Sequence, residues 1–244
     1  MQNNKIKRIC LWSGPRNIST TLMYSFAQRQ DTRAYDEPLY AHYIKHCQNG
    51  TTHPGAAEIL QNMETDGNKV IEWMMSREDK PVIFFKNITH HLLDLERDFM
   101  KDVYNIILTR DPYEMIPSFA AIVDNPDMLD VGYEIQWKLL NDLQNMNLQP
   151  IVLDAKKVLL NPHKMLTDLC EKLEIPFDPN MLQWEAGPKP EDGIWAKYWY
   201  QSVHQSVGFK KYQPKPAPFP DALKPLLEKC RPYYEELVKL SLDY

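Results

Sequence analysis

Glycine is scarce in this chain: 8 residues of 244, against 19 prolines. A loop that must cradle a ligand against bare backbone therefore has little of the one residue that takes positive φ without cost. Cysteine is scarcer still. Cys10, Cys47, Cys170 and Cys230 lie far apart, with no Cys-x-x-Cys and no histidine pairing at zinc-ligand spacing, so the sequence predicts buried thiols and no bound metal. No stretch approaches the ~18 consecutive apolar residues of a membrane span. Residues 1–12 lack the apolar core and small-residue cleavage site of a secretory leader, so a cytoplasmic chain with no membrane partner is expected. Positive charge is in deficit: 28 Lys and Arg against 33 Asp and Glu give a net charge of -5. That argues against a nucleic-acid partner and confines any anion site to a local cluster.

What is present is ordinary globular material, and 244 residues suit a single domain over residues 1–244. The prolines crowd residues 176–232, where Trp184, Trp195, Trp199 and Phe209 supply anchors; this reads as irregular chain wrapped over a regular core. Residues 6–12 are an apolar run that stops at Ser13-Gly14-Pro15, and residues 19–30 follow with helical spacing. A short strand is expected at 32–35 and helices at 56–63 and 69–76. Residues 81–86 and 103–109 are continuous apolar runs of the kind a doubly covered parallel strand shows. Further helices are expected at 113–123, 131–146 and 162–173, a strand at 150–153, and a last helix at 222–240 interrupted at Pro225 and Pro232. This alternation predicts an α/β fold of three layers, a central parallel sheet flanked by helices, with ligands at the carboxyl ends of the strands.

Two segments fall at those ends. In the first, residues 13–22, a buried strand turns into a helix whose start offers free N–H groups beside the hydroxyls of Ser19, Thr20 and Thr21, with Arg16 adding a cation. Such a P-loop-like helix N-terminus favours a phosphate or sulfate. The ATP-type loop G-x-x-x-x-G-K-[ST] is not matched, because Ser19 and Thr20 fill the places of its last glycine and lysine. The bland alternative is that Ser19 or Thr20 only caps a helix. In the second segment Arg110 ends a strand and Ser118 follows eight residues later, about one to two turns into the next helix, so both can meet one anion. The alternative there is an ion pair of Arg110 with Asp111 or Glu114.

Together the two segments resemble the sulfotransferase family, in which a loop of the form P-[RK]-[ST]-G-[ST]-T holds the phosphosulfate, and an arginine with a serine eight positions later holds the 3′-phosphate of 3′-phosphoadenosine 5′-phosphosulfate. Pro15-Arg16-Asn17-Ile18-Ser19-Thr20 matches the first element and Arg110 with Ser118 the second. The resemblance covers residues 6–173, with 195–212 as a cofactor-covering loop. It implies a cofactor-binding set of Arg16, Asn17, Ile18, Ser19, Thr20, Thr21, Arg110 and Ser118, adenosine 3′,5′-bisphosphate as product, and no required metal. Asp36-Glu37-Pro38, Phe85-Lys86 with His90-His91, and Ser206-Val207-Gly208-Phe209 are similar to a divergent branch sometimes labelled branched-chain aminotransferase-like. One departure stands out: Asn17-Ile18 replaces the small residue and glycine of the usual loop. A β-branched residue resists positive φ, so a different loop backbone or weaker phosphosulfate binding is expected.

Sulfuryl transfer needs a base for the acceptor and cations for the leaving oxygen. The resemblance implies Glu37 as base, with His90 second, and Lys86, at the end of the run 81–86, as stabiliser of the leaving group. The alternative for Glu37 is an ion pair with Arg16 or Arg33, and a lone loop histidine is more often structural. The acceptor is expected to be a small molecule bearing a hydroxyl or amine. The rivals are a degenerate nucleotide-binding module without turnover, for which Ile18 is the reason, and a P-loop small-molecule kinase, which the missing Gly-Lys weakens. A pyridoxal-phosphate aminotransferase finds no recognisable Schiff-base context.

Overall fold

A computed structural model describes residues 6–48, 52–214 and 218–243; residues 215–217 of the proline-rich stretch lie outside them. Strands β1 (Lys7–Ser13), β2 (Thr32–Asp36), β3 (Val82–Ile88), β4 (Tyr104–Thr109) and β5 (Ile151–Asp154) pair in parallel in the order β2-β3-β1-β4-β5. The winding runs first to one side of β1 and then, from β3 to β4, crosses to the other. The carboxyl end of β1 is thus the switch point at which open α/β sheets bind ligands.

Both faces of the sheet are covered, which is why its central strands read as unbroken apolar runs. The helices in chain order are α1 (Ser19–Ala27), α2 (Tyr40–His46), α3 (Ala56–Asn62), α4 (Gly67–Ser76), α5 (Pro112–Ala120), α6 (Met128–Val131), α7 (Tyr133–Asn145), α8 (Ala155–Leu160), α9 (Pro162–Lys172), α10 (Ala196–Trp199), α11 (Gln201–His204) and α12 (Lys224–Lys239). Ile9, Leu11, Phe84 and Leu108 pack against α1 and α9 on one face. Cys10, Trp12, Phe85 and Ile107 pack against α4 and α7 on the other. The three-layer α/β reading therefore holds.

Four local expectations are corrected. β3 runs two residues beyond Lys86, because Asn87 and Ile88 find partners in Trp12 and Ser13; Lys86 is inside the strand, in register with Asp36 and Leu11. The helix expected at 131–146 is broken at Gly132, whose φ of 74° closes α6 and opens α7. α12 is continuous, since Pro225 sits in its first turn, where no N–H is needed, and the helix tolerates Pro232. Ile18 adopts a φ of 61°, the left-handed region its branched side chain was expected to resist. Its carbonyl accepts from Leu22 N at 3.1 Å and its side chain packs on the α1-side core, so tertiary contacts hold a backbone that costs about 1–2 kcal/mol locally.

Candidate functional site

The loop between β1 and α1 is built from inside. Asn17 is buried, and its Nδ2 donates to the Leu108 carbonyl at 3.1 Å, tying the loop to the end of β4. Asn17 thus shapes the loop with its side chain turned inward. Ile18 is the N-cap of α1 and offers no side-chain hydrogen bond, and no acidic residue stands in the first turn. The simple-cap reading of Ser19 and Thr20 is therefore not met. The leading N–H groups of α1 have no intrahelical acceptor by geometry, and the helix dipole makes that end electropositive.

Two arginines from distant segments meet there. Arg16 Nε donates to Ser118 Oγ at 3.3 Å, and Arg110 Nη1 donates to the Arg16 carbonyl at 2.9 Å. Burial and the nearby Arg110 charge draw the Arg16 guanidinium below its ordinary pKa. Arg110 also pairs with Glu114 at 3.2 Å, and Glu114 accepts from the Tyr212 hydroxyl at 2.5 Å. The ion pair named as the alternative for Arg110 is present, with Glu114, and Arg110 and Ser118 both contact Arg16 of the first loop. Among the described residues Arg16 makes no ion pair, so the corner carries local positive charge in an acidic chain.

A second cluster lies one strand away. Lys86 continues the row Val82, Phe84 toward the α1 face, and its side chain is 2 % exposed. It donates to Asp36 Oδ1 at 3.0 Å, to the Tyr200 hydroxyl at 2.7 Å and to Glu37 Oε1. Burial pulls the Lys86 pKa down, but Asp36, Glu37 and Tyr200 outweigh it and hold the ammonium well above its usual value. Burial pushes the Glu37 carboxyl up; Lys86 opposes and Asp36 adds to the rise, leaving it at about 7. Glu37 also sits at φ 39°, its N–H held by the Lys86 carbonyl at 2.7 Å. Strained backbone of this kind persists where the surroundings over-determine it, commonly at functional sites.

The two histidines diverge. His90 Nε2 is directed to the Leu129 carbonyl, and its Cε1 would lie 2.4 Å from a Cβ at Gly132, so only glycine fits beside it. His91 stacks on Tyr40 and Tyr43 and brings Nε2 to 3.9 Å from Glu37 Oε2. Burial depresses the pKa of both rings, that of His91 well below the usual value. The histidine facing Glu37 is thus His91. Glu37 pairs with Lys86 and not with Arg16 or Arg33. Asp36 and Tyr200 belong to the same cluster; from the sequence, Asp36 stood only in a family-like motif, and Tyr200 only as aromatic surface suited to adenine or an acceptor pocket. Asp36 is brought to Lys86 by strand register, which the sequence alone does not show, and nothing in the sequence marked the Tyr200 hydroxyl as its partner. Lys210 and Lys211 are exposed.

Among the described residues no group of three or more His, Cys, Asp or Glu is placed to hold a metal ion, and no helix is long and apolar enough to cross a membrane.

The family profile described as "Sulfotransferase domain" matches residues 7–240. The Arabidopsis thaliana protein named "Branched-chain-amino-acid aminotransferase-like protein 2" is 42% identical over 229 residues, which is 93% of this chain and 40% of that protein. The chain thus spans well under half the length of that relative. A solved sulfotransferase domain from the curacin biosynthetic pathway is similar with TM-score 0.52 and 16% identity, covering 93% of this chain and 98% of its own. A sulfotransferase from Alicyclobacillus acidocaldarius is similar with TM-score 0.56 and 10% identity, covering 98% and 97%. At such identities the two structures speak to the fold.

Proposed function

The chain belongs to the sulfotransferase family, and from that premise we propose that it moves a sulfuryl group from 3′-phosphoadenosine 5′-phosphosulfate to a hydroxyl or amine of a small-molecule acceptor, without a metal. The observation that carries this reading is the meeting of Arg16, Ser118 and Arg110 at the uncapped start of α1. A nucleotide with phosphates at both the 3′ and 5′ positions needs two adjacent anion subsites. The free N–H groups and hydroxyls of Ser19, Thr20 and Thr21 suit one, and Arg110 with Ser118 suits the other. Arg16 stands between them. The donor brings the sulfuryl group and a phosphate leaving group; the chain's residues bind, deprotonate and neutralise.

Glu37 is the residue proposed to take the acceptor's proton. A carboxyl poised near 7 is about half ionised at neutral pH, which suits a general base. Lys86, inside β3, lends fixed positive charge beside it. The relative's aminotransferase-like name describes a protein of which this chain covers 40%, and it assigns no chemistry to the cluster here.

A second reading, a nucleotide-binding module without turnover, draws on one observation: the Lys86 ammonium is already held by Asp36, Glu37 and Tyr200. A screen of hydroxyl and amine acceptors with sulfur-labelled donor separates the two. Labelled product that wild type forms and Glu37→Gln forms roughly two to four powers of ten more slowly supports the transferase. Tight nucleotide binding with no product from any acceptor supports the module.

A further inference from the structure

Asp36 and Glu37 are consecutive carboxylates sharing one buried ammonium, yet their surroundings are unequal. Asp36 Oδ1 accepts from Lys86 at 3.0 Å, and Oδ2 accepts from the Tyr200 hydroxyl at 2.7 Å and from the Gly193 N–H at 3.0 Å. Glu37 Oε1 accepts from Lys86, while among the described residues Oε2 makes no hydrogen bond and has His91 Nε2 at 3.9 Å, beyond hydrogen-bond reach. We propose that Asp36 and Tyr200 are positioning residues: they clamp the Lys86 ammonium at the carboxyl edge of the sheet and, by saturating Asp36, leave Glu37 Oε2 as the oxygen of the pair open to a proton.

The clamp has a structural source in residues 192–200. Asp192 accepts from the Tyr24 hydroxyl of α1 at 2.6 Å and pairs with His204 at 2.9 Å, which fixes this stretch over the sheet edge. Gly193 then presents its N–H to Asp36, and a Cβ at Gly193 would lie 2.1 Å from the Trp195 ring, so no larger residue fits there. Trp195 Nε1 donates to the Tyr200 hydroxyl at 3.2 Å, orienting it toward Asp36. The segment Asp192-Gly193-Ile194-Trp195 thus works as a strap whose contacts end on one carboxylate.

Donors aimed at a carboxylate favour its charged form, and a like charge beside a poorly solvated carboxylate favours its neutral form. Asp36 supplies that like charge to Glu37, whose own pKa rises by burial and by Asp36 against the pull of Lys86. The groups facing Glu37 are Lys86 from β3, Asp36 from β2, Tyr40 from α2, His91 from the turn after β3 and Tyr200 from the strap. Of these, His91 is kept neutral by burial, so Asp36 and Lys86 set the charge that Glu37 experiences.

What Glu37's proton accomplishes rests on the sulfuryl-transfer reading; the asymmetry of the pair does not. The test is carbon-detected NMR titration of the glutamate carboxyls in wild type, Asp36→Asn and Tyr200→Phe, with Glu37→Gln assigning the resonance, beside the affinity of each protein for adenosine 3′,5′-bisphosphate. In Asp36→Asn the midpoint of Glu37 is expected to fall from about 7 toward the ordinary carboxylate range, by about one unit or more, the usual size of a close-charge effect. In Tyr200→Phe, which deletes a single oxygen and keeps the ring, it should fall by less, as Lys86, freed of one acceptor, turns further to Glu37. Should Asp36→Asn fail to fold, Tyr200→Phe carries the test. A Glu37 midpoint unmoved in folded variants overturns the inference. A moved midpoint in a protein that binds no adenosine 3′,5′-bisphosphate sustains it while removing the donor assigned above.

Discussion

Arg16 Nε donates to Ser118 Oγ at 3.3 Å across 102 positions of sequence, joining the turn after β1 to the helix after β4. Arg110 closes the same corner through the Arg16 carbonyl.

Arg110→Ala should weaken adenosine 3′,5′-bisphosphate much more than adenosine 5′-monophosphate. Losing a charge-assisted contact costs about 1.5–3 kcal/mol, or roughly ten- to hundredfold in affinity. Titration calorimetry with both ligands checks it. The second ligand registers any general loosening caused by breaking the Arg110–Glu114 pair. Equal losses would detach Arg110 from the 3′-phosphate.

Ile18→Gly should change stability by less than about 1 kcal/mol, although it deletes a partly buried side chain. Relief of a left-handed, β-branched backbone worth about 1–2 kcal/mol offsets the lost packing. Urea denaturation measures the difference, and nucleotide affinity should be retained. A loss well above 2 kcal/mol would mean the loop is held by the side chain alone.

Much of the architecture was legible because strands buried on both faces are mostly apolar, as 81–85 and 106–108 are throughout. The Arg16–Ser118 corner was legible because both segments follow such strands. Tyr200 was not. It reaches Asp36 from 164 residues away, and no local period marks a tyrosine whose hydroxyl rather than ring matters. The backbone of Ile18 was misread for a related reason, since propensity is local while the loop is fixed by Asn17 on β4 and by core packing. Register between β2 and β3, visible only after pairing, turned Asp36 from a turn residue into the partner of Lys86.

Glu37 should leave a mark on stability against pH. Its folded pKa of about 7 lies above the reference of 4.5, so the folded state binds the proton more tightly than the unfolded one. The wild-type stability contributed by this proton is full below about 4.5 and is lost as pH rises to about 7. Relative to Glu37→Gln, wild type should therefore lose stability across that window and run parallel above it. Urea melts of the two proteins at a series of pH values test this; a constant difference across the window would place the raised carboxyl elsewhere.

Lys86→Met should destabilise at pH 8 by about 3–5 kcal/mol, the cost of removing one partner from a buried ionic cluster. It strips Asp36 and Glu37 of the ammonium they share. The penalty should shrink at pH 5.5, where Glu37 takes up a proton. Chemical denaturation at the two pH values checks it, and a penalty independent of pH would deny the shared charge.

The central claim is that the start of α1, with Arg16, Arg110 and Ser118, holds a nucleotide phosphorylated at both the 3′ and 5′ positions. Titration calorimetry of wild type with adenosine 3′,5′-bisphosphate in the presence of a chelator tests it most directly, with ATP and magnesium as the comparison. Saturable one-site binding that magnesium leaves unchanged is expected, with weaker binding of ATP. An isotherm that develops only with magnesium, or tighter binding of ATP with magnesium than of the bisphosphate, would contradict it.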